Sequence, residues 1–440
     1  APAVRDGSLT PERRNALLEE LTEAVAELVL DNNRSQSLAI SLDEIRARES
    51  MDDVRDLMYA LEKAGELDRS AEVLPSSDVL YERRERGQAM ARPELCVLLA
   101  YAKLSLKSRL LSSGLPDDPV TESYLLGYFP PAAMMAAGQD NLSSHRLRRE
   151  IITAQVTNAR VDLMGSGFVT RLMRNSGRSA EDVVRAWLVA SRLADHRALL
   201  GQMAQQANPL NARLSYRWLL GLARVLERTT RWVLQNVEGG HPSADIVDQN
   251  LAGLAELRES FGEGVRGEDR TLFEARVREI QELGADAAFS RRLITLRFLD
   301  QLLEILEISR ETGFAPVVTA HAYYQTSESF EVPWLRRRTY AAAGQGQWEQ
   351  RAAQVISDDL SRAHRRLAVA LLRRTPVEGL AQAPDFLAAL KPHEVERFRG
   401  IVSELQQEDA TGLAAMSVAT RELGDTAERV WRASEPEETA

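Results

Sequence analysis

Apolar residues recur at helical spacing along almost the whole chain, and residues typical of helix ends bound these segments. Three helix starts combine a hydroxyl residue with an acid in the first turn. They are Thr10-Pro11-Glu12, leading to about Asp31; Ser41 with Glu44, leading to Gly65; and Ser179 with Asp182, leading to about Gln206. No sustained alternation of β-branched and polar residues is present, so we predict no strand. The sequence therefore predicts an all-α fold built as a multi-helix array.

A glycine-containing segment separates two parts of different helical character. Val237 to His241, followed by Pro242, is the best candidate boundary. The segments after it are long and amphipathic with short connectors, which predicts antiparallel bundle packing. They are roughly Ser243–Phe261, Asp269–Leu283, Phe289–Ile308 and Trp348–Arg374. We expect a helical linker region at 1–90, a core helical subdomain at 91–237, a long-helix bundle at 238–434 and a disordered tail at 435–440.

The charge pattern argues against a nucleic-acid partner. The formal net charge is −10, with 55 lysines and arginines against 65 aspartates and glutamates, and almost all of the bases are arginines. Acids and arginines alternate along the helical segments, as on a solvated, salt-bridged surface. A protein that binds nucleic acid would be expected to show a net basic footprint instead.

Cysteine usage and hydropathy favour a cytoplasmic protein. Cys96 is the only cysteine, so a disulfide within the chain is impossible, which fits a reducing compartment. The first residues, Ala1 to Asp6, lack the charged-then-apolar pattern of a signal peptide. The longest strongly apolar stretch, Leu95 to Leu104, is too short to cross a bilayer and contains Lys103. We expect no membrane partner.

Gly262-Glu263-Gly264-Val265-Arg266-Gly267 matches the G-x-G-x-x-G pattern of dinucleotide-binding folds. In those folds the glycines follow a strand and open a helix, so that the backbone approaches a pyrophosphate. Here the preceding residues, Leu251 to Phe261, have the pattern of an amphipathic helix. We interpret the motif as a loop between helices and predict no cofactor-binding residue in this chain.

The other glycine motifs and the titratable residues also have structural interpretations. Gly344-Gln345-Gly346 fits a connector, and Gly165-Ser166-Gly167 fits the end of one helix and the cap of the next. The six histidines lack metal-ligand spacing, so we predict no metal site: His145, His196, His241, His321, His364 and His393. Adjacent helical residues point about 100° apart, so the pairs Asp117-Asp118 and Asp358-Asp359 fit capping or surface roles better than an acid/base dyad.

Two arginine runs could bind a phosphate or a partner's carboxylate. They are Arg146-Leu147-Arg148-Arg149 and Arg336-Arg337-Arg338. We favour ion pairing with nearby acids, namely Glu150 for the first run and Glu328 and Glu331 for the second. No catalytic residue is predicted in either.

One helix is expected to bury a single face, and a second helix is expected to be largely enclosed by others. In the first, from about Ser144 to Met164, Asn158 falls on one face with Leu147, Ile151, Ala154 and Val161, which predicts a buried amide that acts as a structural node. The second starts at Arg92-Pro93 and is apolar around most of its circumference. Its main face consists of Leu95, Leu98, Leu99, Ala102, Leu106 and Leu110, widened by Val97, Tyr101 and Leu104, with Lys103 and Lys107 as the polar edge. Cys96 is expected to be a passive part of this packing.

These helices also carry a family resemblance. The run from Arg92 to Lys103, Arg-Pro-Glu-Leu-Cys-Val-Leu-Leu-Ala-Tyr-Ala-Lys, resembles a signature of the large bacterial NAD-specific glutamate dehydrogenases. Further similar segments follow in the family's order: Leu115 to Pro119, Tyr128-Phe129-Pro130, His145 to Ile152, Asn158, Met164-Gly165 and Phe168. Arg14 to Leu18 and Val25 to Asn32 look like the segment that follows the family's nucleotide-binding domain. Arg228 to Trp232 and Asp358 to Leu360 are less specific. Asp162-Leu163 departs from the Asn-Arg expected there, which puts the local hydrogen bonding in doubt.

The resemblance implies a parent enzyme that uses NAD to convert L-glutamate to 2-oxoglutarate and ammonium. The family's catalytic lysines and Rossmann strand have no match in this chain, so it implies a non-catalytic C-terminal helical domain that is inactive by itself. The implied partners are the catalytic domain of the same polypeptide and neighbouring subunits of a homo-oligomer. A free-standing helical interaction scaffold is the alternative. An independent enzyme that binds NAD at Gly262 and a nucleic-acid binder are less favoured.

Overall fold

The computed structural model describes residues 7, 10–206, 212–237, 241–344, 346–375, 385–390, 392–408 and 412–433. Throughout these ranges the regular structure is helical and contains no strand, so the all-α prediction is confirmed. The chain divides into two compact units, Ala1–Val247 and Asp248–Ala440. The division at residue 90 stays a prediction. Part of the predicted boundary (238–240) and the predicted tail lie outside the described residues.

The first unit contains helices α1 to α12 and the start of α13. Their bounds are α1 Pro11–Glu49, α2 Met51–Lys63, α3 Ser77–Glu85, α4 Arg92–Leu111, α5 Glu122–Leu126, α6 Pro131–Ala137, α7 Gln139–Ser143, α8 Arg148–Met164, α9 Phe168–Ser176, α10 Ala180–Leu193, α11 His196–Gln206, α12 Ala212–Asn236 and α13 Ser243–Gly264. Short 3₁₀ turns at Leu115–Asp117 and Pro119–Thr121 lie between α4 and α5. Helix α8 packs against α1, α4, α5 and α12, which makes it the centre of this unit.

The second unit contains the rest of α13 and the helices after it. They are α14 Gly267–Glu282, α15 Ala287–Thr295, α16 Leu299–Thr312, α17 Pro316–Ser329, α18 Val332–Ala342, α19 Gln347–Arg374, α20 Pro392–Gln407 and α21 Leu413–Arg432. Helices α19 and α21 pack along each other, and α17 and α18 also pack against α19. Their buried side chains form a core that includes Phe330, Leu360, Leu367, Phe398, Met416 and Leu423. Three of the four long helices predicted for this part of the sequence, 243–261, 269–283 and 348–374, are present.

Local caps set several helix ends as predicted. The Thr10 hydroxyl accepts from the Arg13 N–H at 3.1 Å, and Pro11 is the first helical residue. Ser179 and Asp182 form a complete capping box at the start of α10. Gly165 follows the last residue of α8 and Gly167 precedes α9, which confirms the predicted role of that motif.

Several predicted helix boundaries are wrong. Helix α1 does not end near Asp31 but continues to Glu49, so Ser41 lies inside it and donates to the Ser37 carbonyl instead of capping. A break at Asp195, whose φ is 49°, separates α10 from α11. A 3₁₀ turn at Leu296–Phe298 likewise interrupts the predicted helix 289–308. The Ser41-Glu44 spacing does not act as a cap because the residues before Ser41 are already helical.

The prediction for α4 is correct for one face only. Its six main apolar residues are buried, as predicted. Leu104, however, is 63% exposed, and Cys96 is also exposed. The neighbours of α4 are α1, α2, α8 and α10, together with the 3₁₀ turn at Leu115. They leave Leu104 and Cys96 uncovered.

Candidate functional site

A cluster of four charged residues and a glycine joins the ends of α1 and α8, and we call it the α1–α8 cluster: Asp43, Arg46, Arg160, Asp162 and Gly165. The Arg46 guanidinium donates to the Asp43 carboxylate at 3.0 Å and to the Leu163 carbonyl. The other Asp43 oxygen accepts from the Ser166 N–H at 3.1 Å. The Leu163 carbonyl near the end of α8 and the Ser166 N–H just after the helix are thus bound by side chains of a helix more than a hundred positions earlier.

Arg160 is the most deeply buried charge of this cluster, with 1% of its surface exposed. It donates to the Gly165 carbonyl at 3.3 Å, while its Nε has no hydrogen-bond partner among the described residues. Burial lowers its pKa to about 9, opposed by the charges of Asp43 and Asp162. A guanidinium held this way is positioned by the fold and has little freedom to meet a ligand.

Asp162 accounts for the departure from the family pattern noted above. Its carboxylate pairs with the Lys103 ammonium of α4 at 2.6 Å. Burial raises the pKa of Asp162, and the positive charges of Lys103 and Arg160 oppose this rise. The ion pair joins α4 to α8 at the position where the family is expected to carry asparagine.

Gly165 makes the close approach of the two helices possible. Its φ is +88°, a conformation that residues with a side chain rarely adopt. A Cβ at this position would lie 2.5 Å from Asp43 Oδ1 and 3.0 Å from Arg46 Nη1. Only glycine leaves room for the Asp43–Arg46 pair.

A second ionic link in this unit is centred on Arg171 of α9. It donates to Asp53 of α2 at 2.5 Å and to Glu227 of α12 at 2.6 Å. Burial favours a higher pKa for Glu227, but the charges of Arg171 and Arg231 outweigh it and lower the pKa. Three helices are held together by one guanidinium.

The second unit has a different buried polar group, which we call the α16–α17 cluster: Glu304, Tyr323, Tyr324, Arg336 and His364. The Tyr323 hydroxyl donates to Glu304 at 3.1 Å, and the Tyr323 and His364 rings have centroids 4.2 Å apart. Burial raises the pKa of Glu304 to about 7, while the charge of Arg336 and the Tyr323 hydrogen bond act in the opposite direction. This carboxyl is therefore placed to change its protonation near neutral pH.

His364 is completely buried beside Tyr323. Its Nε2 lies 3.0 Å from the Tyr323 carbonyl, which can only accept, so this nitrogen carries the proton. Burial lowers the pKa of His364 to about 3, and the nearby Arg336 acts in the same direction. A neutral imidazole that is already bonded to backbone serves packing better than proton transfer.

The predicted G-x-G-x-x-G loop forms the junction of two helices. Gly262 and Gly264 belong to the last turn of α13, and Gly267 begins α14. Gly267 has a φ of +56°, which favours glycine, and a Cβ there would lie 2.9 Å from the Glu328 side chain of α17. The helix predicted before the motif is confirmed. Gly344 and Gly346 lie between α18 and α19 as predicted, and Gln345 lies outside the described residues.

The arginine runs form ion pairs, but with other acids than predicted. Arg148 and Arg149 bind Asp117, and Arg149 also donates to the Ser113 carbonyl at 2.8 Å. Arg337 pairs with Glu268, not with Glu328 or Glu331. The true partners are distant in sequence, and folding brings them within reach.

The aspartate pairs have the capping and surface roles that were expected. Asp118 caps the 3₁₀ turn that follows it, accepting from the Val120 N–H at 2.9 Å, and also binds Arg185 and the Ser243 hydroxyl. Asp358 accepts from Gln354 at 2.7 Å, and Asp359 pairs with Arg362 one turn later.

Asn158 does not occupy the buried face predicted for α8. It is half-buried, as are Ile151 and Ala154, and Leu147 is 44% exposed. Val161 is buried as predicted, and the buried face also contains Ile152, Thr153, Val156, Arg160 and Leu163. Arg160 lies four positions after Val156, so the apolar stripe passes through it. This spacing in the sequence could have indicated that Arg160 is buried. The prediction missed it because it placed the buried face on the side of Asn158.

The histidines are spread over both units. Among the described residues, no group of three or more histidine, cysteine, aspartate or glutamate side chains is arranged to hold a metal ion. His196 is buried, its Nδ1 lies 3.2 Å from the Ser191 carbonyl, and burial lowers its pKa to about 4.

Within the described residues, no helix is long and apolar enough to cross a membrane.

The sequence model of the family described as "Glutamate dehydrogenase, C-terminal" matches residues 87–425, most of the chain. The chain belongs to the glutamate dehydrogenase C-terminal family. The resemblance inferred from the motifs is thereby confirmed.

Comparison with curated proteins agrees with this family. The chain is 33% identical over 428 residues to the NAD-specific glutamate dehydrogenase of Halomonas elongata, covering 97% of this chain and 26% of the relative. It is 33% identical over 427 residues to the enzyme of the same name from Pseudomonas aeruginosa, with the same coverage of each chain. For that of Mycobacterium tuberculosis the identity is 27% over 424 residues, or 96% and 26% of the two chains. The chain spans about a quarter of the length of these relatives.

Within this glutamate dehydrogenase C-terminal region, the segments that carry the resemblance contact one another. Lys103, the last residue of the α4 signature, pairs with Asp162 of α8. Asp117, from the Leu115 to Pro119 segment, binds Arg148 and Arg149. The family motifs are thus explained by helix packing around α8.

Proposed function

We propose that this chain is the non-catalytic C-terminal helical domain of an NAD-dependent glutamate dehydrogenase. The parent enzyme converts L-glutamate to 2-oxoglutarate and ammonium in the cytoplasm. The main support is the sequence similarity of 97% of this chain to proteins named NAD-specific glutamate dehydrogenase. The aligned region makes up 26% of those proteins. The domain acts as a scaffold that packs on the catalytic domain and on neighbouring subunits of a homo-oligomer.

The chemistry of the polar clusters supports a structural role. Arg46, Arg160 and Arg171 each bond to groups of other helices or to helix ends. A guanidinium that binds a substrate carboxylate must be accessible to the substrate. The guanidinium groups of these three arginines instead bond to other groups of the protein. NAD is assigned to the parent enzyme, and no residue of this chain is assigned to its binding or to catalysis.

An immunoprecipitation tests this proposal. Antibodies raised against the chain are used on lysate of its source cells, with non-immune serum as the control. We expect glutamate-dependent reduction of NAD in the precipitate, and no saturable binding of NADH when the isolated chain is titrated. Activity that stays entirely in the supernatant, or saturable NADH binding by the isolated chain, would contradict the proposal.

A further inference from the structure

The apolar face of α1 is buried at both ends of the helix and bare in the middle. Near the start, Leu17 and Leu21 are 8% and 9% exposed, and near the end, Ala39 and Leu42 are 1% exposed. Between them the apolar side chains are open to solvent, with 46% exposure for Val25, 41% for Leu28 and 54% for Val29.

These bare residues continue the buried face of the same helix. At 100° per residue, Val25 and Leu28 point within about 40° of Leu21, and Val29 points about 80° from it. The acids of this stretch, Glu20, Glu23 and Glu27, lie on the other side of the helix. A helix face that only met water would carry such acids itself, so the composition of this face is that of a packed surface.

We propose that the Val25–Leu28–Val29 face of α1 packs against the part of the enzyme polypeptide that lies outside this chain. This inference rests on the proposed function, in which the chain is one domain of a longer enzyme. The relatives are about four times as long as the aligned region, so most of their polypeptide is available as a neighbour. A tethered neighbour has an effective concentration of about millimolar, far above that of a free partner.

The borders of the face indicate the chemistry of the surface that covers it. Thr22 lies beside the face on one side and Asp31 on the other, while Asn32 and Gln36 continue it along the helix with uncharged polar groups. The complementary surface is therefore apolar along its centre, with hydrogen-bonding groups at its margins and no acid opposite Asp31. An anionic lipid surface would be repelled by the acids of α1.

Thiol labelling of two matched variants tests the inference. In a Cys96→Ser background, Val29→Cys places a thiol on the face, and Glu27→Cys places one two residues away on the opposite side. Both positions are exposed in the structure, so the chain should stay folded, which far-UV circular dichroism checks. The labelling rate of each is measured in this chain alone and in the full-length polypeptide.

We expect both thiols to react at similar rates in the chain alone. In the full-length polypeptide, the Val29→Cys thiol should react at least about tenfold more slowly, whereas the Glu27→Cys thiol should change little. Equal rates for the Val29→Cys thiol in both proteins would overturn the inference. Protection that increases with the concentration of the chain alone would identify a second copy as the occupant and would also overturn it. If the source cells contain no longer polypeptide, the proposed function itself fails, which is a distinct result.

Discussion

Arg160 and Gly165 show how single residues hold the first unit together. The guanidinium of Arg160 is enclosed by α8 and its neighbours and bonds to the Gly165 carbonyl. Asp43, which helps to balance that charge, fits only because Gly165 has no side chain. Adding a side chain at Gly165 should therefore disrupt the ion pair between Asp43 and Arg46.

Gly165→Ala should destabilise the chain more than the same change at another glycine of positive φ. The new Cβ would displace the Asp43 carboxylate from Arg46 and the Ser166 N–H, adding to the backbone strain, for a loss of about 3 kcal/mol. Gly138→Ala is the matched control: its φ of +73° and ψ of 151° are close to the 88° and 167° of Gly165, and a Cβ there meets no described atom within 4 Å. Its cost, from backbone strain alone, is expected to be about 1 kcal/mol. Urea denaturation measures both, and equal losses would contradict the proposed role of Gly165.

At this scale the sequence predicts local chemistry and misses long-range pairing. The helix end and cap at Gly165 and Gly167 follow from residues next to each other, and they are confirmed. The burial of Arg160 depends on Asp43, which is more than a hundred positions away in the chain. The apolar spacing of α8 permits two buried faces, and the sequence prediction places Asn158 on one of them. Only the packing of α8 against α1 and α4 selects the face that is buried.

Helix α1 illustrates what decides the length of an element. It has 39 residues and so spans roughly 60 Å, much longer than the segment expected from its first apolar stripe. The Ser41-Glu44 pattern has the spacing of a capping box, but the chain upstream of it is already helical. A cap signal needs a non-helical residue before it, and the sequence pattern alone does not show that.

Two serine substitutions separate a real cap from an apparent one. Ser179→Ala should lower the free energy of unfolding by about 1 kcal/mol, because the Asp182 N–H loses its acceptor at the start of α10. Ser41→Ala should change it by less than about 0.5 kcal/mol, since Ser41 lies within α1. Thermal unfolding followed by circular dichroism would show the difference. A comparable loss of stability in both variants would mean that a separate helix starts near Ser41.

Across the whole molecule, each unit has its own buried polar cluster with its own pH behaviour. The α1–α8 cluster pairs arginines with carboxylates. The α16–α17 cluster contains Glu304, whose pKa of about 7 lies above the ordinary value for glutamate. The charged and titratable groups around Glu304 are Arg336, Arg365, Asp300 and Tyr323. None of these pairings was predicted, because Glu304 lies in an ordinary helical pattern and its neighbours come from other helices.

Glu304→Gln should make the stability of the chain less dependent on pH. When the pKa of an acid is higher in the folded state, the folded protein binds more protons, so its stability falls as the pH rises from about 4 to 7. The amide of the variant has no proton to lose and can still accept from Tyr323. The variant should gain stability relative to the natural chain between pH 5 and pH 8, as measured by urea denaturation. Glu307→Gln, one turn along α16 where Glu307 pairs with Arg310, is the control. A constant difference at all pH values would contradict this role of Glu304.

The central claim, that this chain is the C-terminal domain of a longer glutamate dehydrogenase, is tested most directly by the mass of the native polypeptide in its source cells. Antibodies against the chain, used on a denaturing gel of whole-cell lysate, should detect a band about four times heavier than 49.0 kDa, since the chain spans 26% of its relatives. A single band near 49 kDa, present from the earliest moment of lysis under protease inhibition, would contradict the claim.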